Sequence, residues 1–270
     1  MKKVISLSMA AVMTVSMAGC GNNQTTQEST VSESAATTAA TEAETTAAET
    51  SPFEESNSEA LSWDMAEEIL THISDPEFPD YEVSVLDYGA VPGDGKLDTA
   101  AIQSAIDEVS TKGGGKVSIP AGDYDTGAIT LKSNVNLCLE EEDTILKFTR
   151  DITHENYPLV FAHYEGSKLY NWSPFIYAYQ QENIAVTGKG TLDGQADKDT
   201  WWNWRQKYNE DGTTSNPSSA DAKLLRKMTD DGVPAEERVF GEGHFLRPNF
   251  YQPIECENVL IEEVQVRNPS

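Results

Sequence analysis

The chain is short of positive charge. Between Lys3 and Lys96 there is no lysine or arginine, and over 270 residues 19 basic side chains face 45 acidic ones, a formal charge of −26. Such a surface repels phosphate backbones, and no basic cluster interrupts it, which argues against nucleic acid as a partner. An anionic polysaccharide would gain little long-range steering here and would need a locally basic cleft. Histidines are few: His154 and His163 have neither each other nor a carboxylate at ligand spacing, so no metal or other cofactor is expected. No Gly-Lys-Ser/Thr follows the glycine run at Gly113–Gly115, which argues against a phosphate-cradling loop. Asn-Gly hairpin turns are also missing, which argues against a β-sandwich.

What is present divides the chain. Residues 1–20 read as an export signal: Lys2 and Lys3, an apolar run from Val4 to Val15, then Ser16-Met17-Ala18-Gly19-Cys20. The run is too short for a mature membrane span. Its ending resembles a bacterial lipoprotein signal, which implies lipidation at Cys20, with two acyl chains sufficient for stable anchoring. The alternative is a secretory signal with an incidental cysteine. Residues 21–58 are Ser, Thr, Ala and Glu with almost no large apolar side chain, a composition that cannot offset chain entropy and predicts a disordered linker. Exported and lipid-anchored at the bacterial cell surface is the location these segments predict.

Residues 59–80 predict a helix from Glu59 to His72, with Leu61, Met65, Ile69 and Ile73 as a stripe packed on the following domain, then a connector through Pro76 and Pro79. In the domain at 81–270, Val83, Val85 and Tyr88 predict a first strand. Asp98 and Thr99 suit a helix N-terminus, and Ile102, Ala105, Ile106 and Val109 form an apolar stripe. Gly113-Gly114-Gly115 suits the helix end, and a strand follows over Lys116–Ile119.

Repetition is the stronger signal. Ser133-Asn134-Val135-Asn136-Leu137, Glu182-Asn183-Ile184-Ala185-Val186 and Glu257-Asn258-Val259-Leu260-Ile261 share one pattern: polar, Asn, β-branched, any, aliphatic. Each copy is followed by a second short strand. This is what stacked coils of a parallel β-solenoid require, with the asparagines aligned as a ladder. The expected fold class is all-β, a right-handed parallel β-helix with an N-terminal capping helix, 99–110, over its first coil. No second strong amphipathic helix is expected before about Asp221, and Thr200–Phe240 reads as a long loop.

Asp87-Tyr88-Gly89-Ala90, Gly93-Asp94-Gly95, Asp98-Thr99, Ala101-Ile102-Gln103 and Gly113–Val117 resemble the opening of pectin-lyase-like β-helix proteins. Pro120-Ala121-Gly122-Asp123-Tyr124, Asn183–Gly190, Leu192-Asp193-Gly194-Gln195, Trp201-Trp202 and Arg247-Pro248 narrow the resemblance to glycoside hydrolase family 28, the polygalacturonases. It implies inverting hydrolysis of α-1,4-galacturonosyl bonds in pectin, with two carboxyl groups about 6.5–9.5 Å apart. The substrate implied is a pectic polysaccharide or oligogalacturonide. The family's Asn-Thr-Asp, Gly-Asp-Asp, Gly-His-Gly and Arg-Ile-Lys motifs do not occur here: Asp230-Asp231 lacks the preceding Gly, and His244 is followed by Phe245. Catalytic residues are therefore expected beyond residue 270. The chain is expected to be the N-terminal part of such a hydrolase, truncated, inactive alone and poorly stable. The alternatives are a β-helix pectate lyase and a non-catalytic glycan-binding surface protein.

Trp201, Trp202 and Trp204 could stack on sugar rings; the alternative is that they pack the long loop against the solenoid. Cys138 and Cys256 read as small core residues, though an exported protein could join them. Glu140-Glu141-Glu142-Asp143 reads as a solvated turn in place of a calcium loop.

Overall fold

A computed structural model describes residues 63–270. The expected signal with Cys20, the linker at 21–58 and the first residues of the helix expected from Glu59 lie outside them.

The repeat sets the architecture. β1 (Glu82–Ser84) precedes a first coil of β2 (Gly115–Ile119), β3 (Gly122–Thr126) and β4 (Ile129–Thr130). The second coil holds β5 (Val135–Leu139), β6 (Thr144–Phe148), an inserted hairpin of β7 (Leu159–Tyr164) and β8 (Ser167–Trp172), and β9 (Ile176–Tyr179). The third holds β10 (Glu182–Gly188), β11 (Thr191–Asp193), an insertion containing β12 (Lys207–Tyr208), β13 (Thr214–Ser215) and β14 (Val239–Phe240), and β15 (Tyr251–Ile254). β16 (Glu257–Ile261) and β17 (Gln265–Arg267) follow. Outside the insertions, strands pair with their counterparts one coil away. β1, β2, β5, β10 and β16 make one parallel sheet, β3, β6, β11 and β17 a second, and β4, β9 and β15 a third. Each turn of chain lays one strand on each face, which is a parallel β-helix. Crossovers between parallel strands of one sheet take the right-handed sense.

The Asn pattern does what its spacing implied. Asn134, Asn183 and Asn258 have φ of 64°, 51° and 51°, the left-handed region that Asn tolerates better than most residues. The Asn183 side-chain amide donates to Asn134 Oδ1 at 3.0 Å, and that of Asn258 to Asn183 Oδ1 at 2.9 Å. The bends therefore align, and register follows: Val135, Ile184 and Val259 stack, as do Leu137, Val186 and Ile261. In the inner coils these side chains are buried.

A β-helix has open edges at its first coil, and this one covers them by several means. β1 pairs with β2. Gly93 and Asp98 donate backbone N–H groups to Asp123 and Asp125 of β3, each at 2.7 Å. Helix α2 (Thr99–Thr111) covers the rest. Its Gln103 side chain imitates a neighbouring strand, donating to Thr130 O and accepting from Thr130 N, both at 3.0 Å. Thr99 Oγ1 accepts from Gly127 N at 2.7 Å, and Ser110 Oγ donates to Ser133 O at 3.1 Å. On its other stripe Ile102, Ala105, Ile106 and Val109 are fully buried in the core. At the opposite end, Val259, Ile261 and Val266 of β16 and β17 are 37–50% exposed.

Local expectations are corrected in places. The strand expected over Val83–Tyr88 stops at Ser84. Val85–Tyr88 is a 3₁₀ turn, closed by Gly89 at φ 95°, so the chain can turn into the cap. Asp98 starts α2, but its side chain accepts from Val91 N at 2.9 Å instead of capping its own helix. Helix α1 spans Asp64–Thr71, and the expected packing of its apolar stripe is not found. Met65 is 38%, Ile69 55% and Ile73 64% exposed. The solenoid end it could have covered is already closed by α2.

Gly188 ends β10 at φ 103°, and a Cβ there would overlap the Leu139 carbonyl oxygen on the preceding coil. Gly188→Ala is expected to cost about 3 kcal/mol or more, because strain and backbone overlap add. Urea denaturation measures it; a loss below about 0.5 kcal/mol would contradict the tight coil-to-coil approach.

Candidate carbohydrate-binding site

Both insertions leave the solenoid at the same bend, between its second and third sheets, on successive coils. β7 and β8 form an antiparallel hairpin, and β14 adds to β8 in parallel, Val239 opposite Tyr170 and Phe240 opposite Asn171. The stretch expected as a loop from Thr200 to Phe240 is folded: α3 (Trp201–Arg205), the β12–β13 hairpin, α4 (Pro217–Asp230) and β14. Asn216 caps α4, accepting from Ser219 N at 3.0 Å, with Pro217 in its first turn. Ala222, Leu225, Phe240 and Leu246 then pack on Ala162 and Leu169 as a second, smaller core. The paired insertions thus build one wall beside the solenoid.

Within this wall a cavity of about 340 Å³ is lined by His154, Trp172, Trp204, His244 and Phe245. His154 lies on Trp172 with ring centres 4.9 Å apart, and Trp204 meets Phe245 edge to face at 5.7 Å. Trp172 is 5% exposed, and its buried indole N–H has no protein acceptor. Such a donor calls for a partner, because an unmade buried hydrogen bond costs about 1–3 kcal/mol. Asp221, itself buried, shapes the rim: its carboxylate accepts from His244 Nδ1 at 2.8 Å and from Phe245 N at 2.6 Å. The acceptor-only carboxylate places a proton on Nδ1, so a neutral His244 imidazole would offer Nε2 as an acceptor to a ligand hydroxyl. Aromatic faces with one buried donor and one fixed acceptor can take a sugar ring.

The tryptophans separate. Trp201 is fully buried, meeting Tyr157 at 5.4 Å and Trp204 at 4.8 Å between ring centres, and has no face open to a sugar. Trp202 is exposed on the outer surface and donates from its indole to Pro269 O at 2.9 Å. Trp204 lines the cavity. His154, Trp172, Asp221, His244 and Phe245 carry no sequence signal that marks them as binding residues. They come from four separate segments, and only the fold brings them together. A second hollow is lined among others by Arg205 of α3, Arg226 of α4 and Arg247. Cys138 and Cys256 are both free thiols. Among the described residues no group of His, Cys, Asp and Glu is arranged to hold a metal ion.

Residues 82–217 match the family described as rhamnogalacturonase A/epimerase, pectate lyase-like, and the chain belongs to that family, whose relatives include glycoside hydrolase family 28 enzymes. The crystal structure of a hyperthermoactive exopolygalacturonase from Thermotoga maritima superposes with a TM-score of 0.70 at 43% identity, over 76% of this chain and 46% of that one. An exo-poly-α-D-galacturonosidase of Dickeya chrysanthemi is 27% identical over 208 residues, 70% of this chain and 32% of the relative. A mannuronan C5-epimerase of Azotobacter vinelandii is 31% identical over 123 residues, 42% of this chain and 7% of the relative. The chain spans less than half the length of each.

Asp221→Ala is expected to destabilise the wall by about 2–3 kcal/mol, since it orphans Phe245 N and His244 together. Asp221→Asn keeps an acceptor for Phe245 and should cost less than half as much. Urea denaturation of both variants decides; equal losses would mean that the hydrogen bonds do not hold this rim.

Proposed function

We propose that the chain supplies the capped first coils and the end wall of a polygalacturonase-type glycosidase, which hydrolyses α-1,4-galacturonosyl bonds in pectin with inversion, from a chain end. The observation that carries this is the wall itself: two insertions on successive coils fold together beside the solenoid and enclose an aromatic cavity. A long polysaccharide lying along the coils would meet that wall, which suits removal of terminal sugars better than internal cuts. Both the Thermotoga and Dickeya relatives are described as exo-acting. The carboxyl pair that would cleave the bond is expected on coils beyond those described. Lipidation at Cys20, with 21–58 as a tether, would hold the enzyme at the cell surface.

Digesting polygalacturonate separates the possibilities. The hydrolase containing these coils should release galacturonate with new reducing ends and no ultraviolet-absorbing product, while the 270-residue chain alone should yield neither. Ultraviolet-absorbing, unsaturated product would replace hydrolysis by elimination. Reducing ends from the 270-residue chain alone would put the catalytic carboxylates within it, and a mixture of oligomer sizes would mean internal cleavage.

A further inference from the structure

The protein is strongly acidic, yet one hollow in the wall is basic. About 200 Å³ in volume, it is lined by Arg205 from the end of α3, by Lys223 and Arg226 from α4, and by Arg247 from the segment leading into β15. A water occupies about 30 Å³ of liquid, so a group of several heavy atoms fits. Glu165 is the one carboxylate lining the hollow, and Arg226 engages it at 2.8 Å. Arg205, Lys223 and Arg247 make no ion pair among the described residues, although most other basic side chains there do.

Arg247 is half-buried. Burial pushes its guanidinium pKa down, Tyr164 partly offsets this, and the like charge of Arg205 pushes it down again. A guanidinium stays charged in proteins, so the pair is held together at a cost. The first turn of α4, with Ser218 and Ser219, also faces the hollow and adds partial positive charge. In a molecule of net charge −26, a half-buried Arg247 beside an exposed Arg205, neither matched by a carboxylate, is a site awaiting an anion.

The neighbouring aromatic cavity narrows which anion. Trp204 and Phe245 line that cavity, and Arg205 and Arg247 line the hollow from the same two segments. An oligouronate, which offers sugar rings and carboxylates along one chain, supplies a group for each. We propose that Arg205 and Arg247 bind the carboxylate of a terminal uronate residue, making the wall a reader of acidic chain ends; this rests on the polyuronate function proposed above. Methyl-esterified ends, which lack the charge, would be rejected here.

Titration calorimetry of the 270-residue chain with trigalacturonate, its methyl triester and trimannuronate tests this. Trigalacturonate should bind at least tenfold more tightly than the triester, about 1.4 kcal/mol, and should weaken with added salt. Arg247→Gln should reduce trigalacturonate to the affinity of the triester, leave the triester unchanged, and hold or raise the melting temperature by relieving the repulsion. Arg205→Gln should do the same, and carries the test if the first variant does not fold. Equal weakening of acid and ester, or of neither, would overturn the site. If trigalacturonate binds equally to wild type and both variants, the site fails while the galacturonate function stands. If trimannuronate alone binds with the same arginine dependence, the site stands and the galacturonate function fails. Inorganic phosphate binding more tightly than any of the sugars would overturn the uronate assignment.

Discussion

Everything in this molecule depends on one requirement: each coil must satisfy its backbone hydrogen bonds on the coils beside it. Parallel strands offer no hairpin to close a pair locally, so register has to be imposed at the bends. The Asn134–Asn183–Asn258 ladder does this, holding successive bends at left-handed φ and linking them amide to amide. Gly188 complements it, since only a residue without Cβ lets the following bend approach the Leu139 carbonyl. The same requirement explains α2, which buries one stripe and uses Thr99, Gln103 and Ser110 on another to satisfy Gly127, Thr130 and Ser133.

Once bends align, segments inserted at the same bend of successive coils must lie against each other. The wall is a consequence of register. β14 joins β8 across more than one coil of intervening chain, and Phe240 and Leu246 reach Leu169 to form the smaller core. Asp221 then ties α4 to the His244–Phe245 rim. The aromatic cavity and the basic hollow belong to this added layer, whereas the solenoid beneath supplies its foundation.

That division explains what the sequence could and could not reveal. The Asn-led repeat and the α2 stripe are periodic, and periodicity is visible without knowing partners. The wall has no period: β12, β13 and β14 are two residues long each, and their pairing is with distant chain or across a short hairpin. Thr200–Phe240 therefore looks like a loop. The three tryptophans were conspicuous by type, yet burial separates them, leaving Trp204 on the cavity and Trp201 in the core. Arg205 is legible only as an isolated charge in an acidic chain, and Arg247 only as part of the Arg-Pro pair of the family resemblance, with no sign that the two meet. The need for a basic cleft could be stated from net charge alone; its position required the fold. The helix α1 stripe misled for the opposite reason, since periodicity predicts a helix but not what will cover it.

The central claim is that the wall, not an open face of the solenoid, holds the acidic sugar. A crystal structure of the chain with trigalacturonate addresses it most directly. The account predicts a sugar ring against Trp204 and Phe245 and a carboxylate of the same trisaccharide between Arg205 and Arg247. A trisaccharide lying elsewhere, for example along the polar bend at Gln180–Glu182, with those arginines empty, would contradict it.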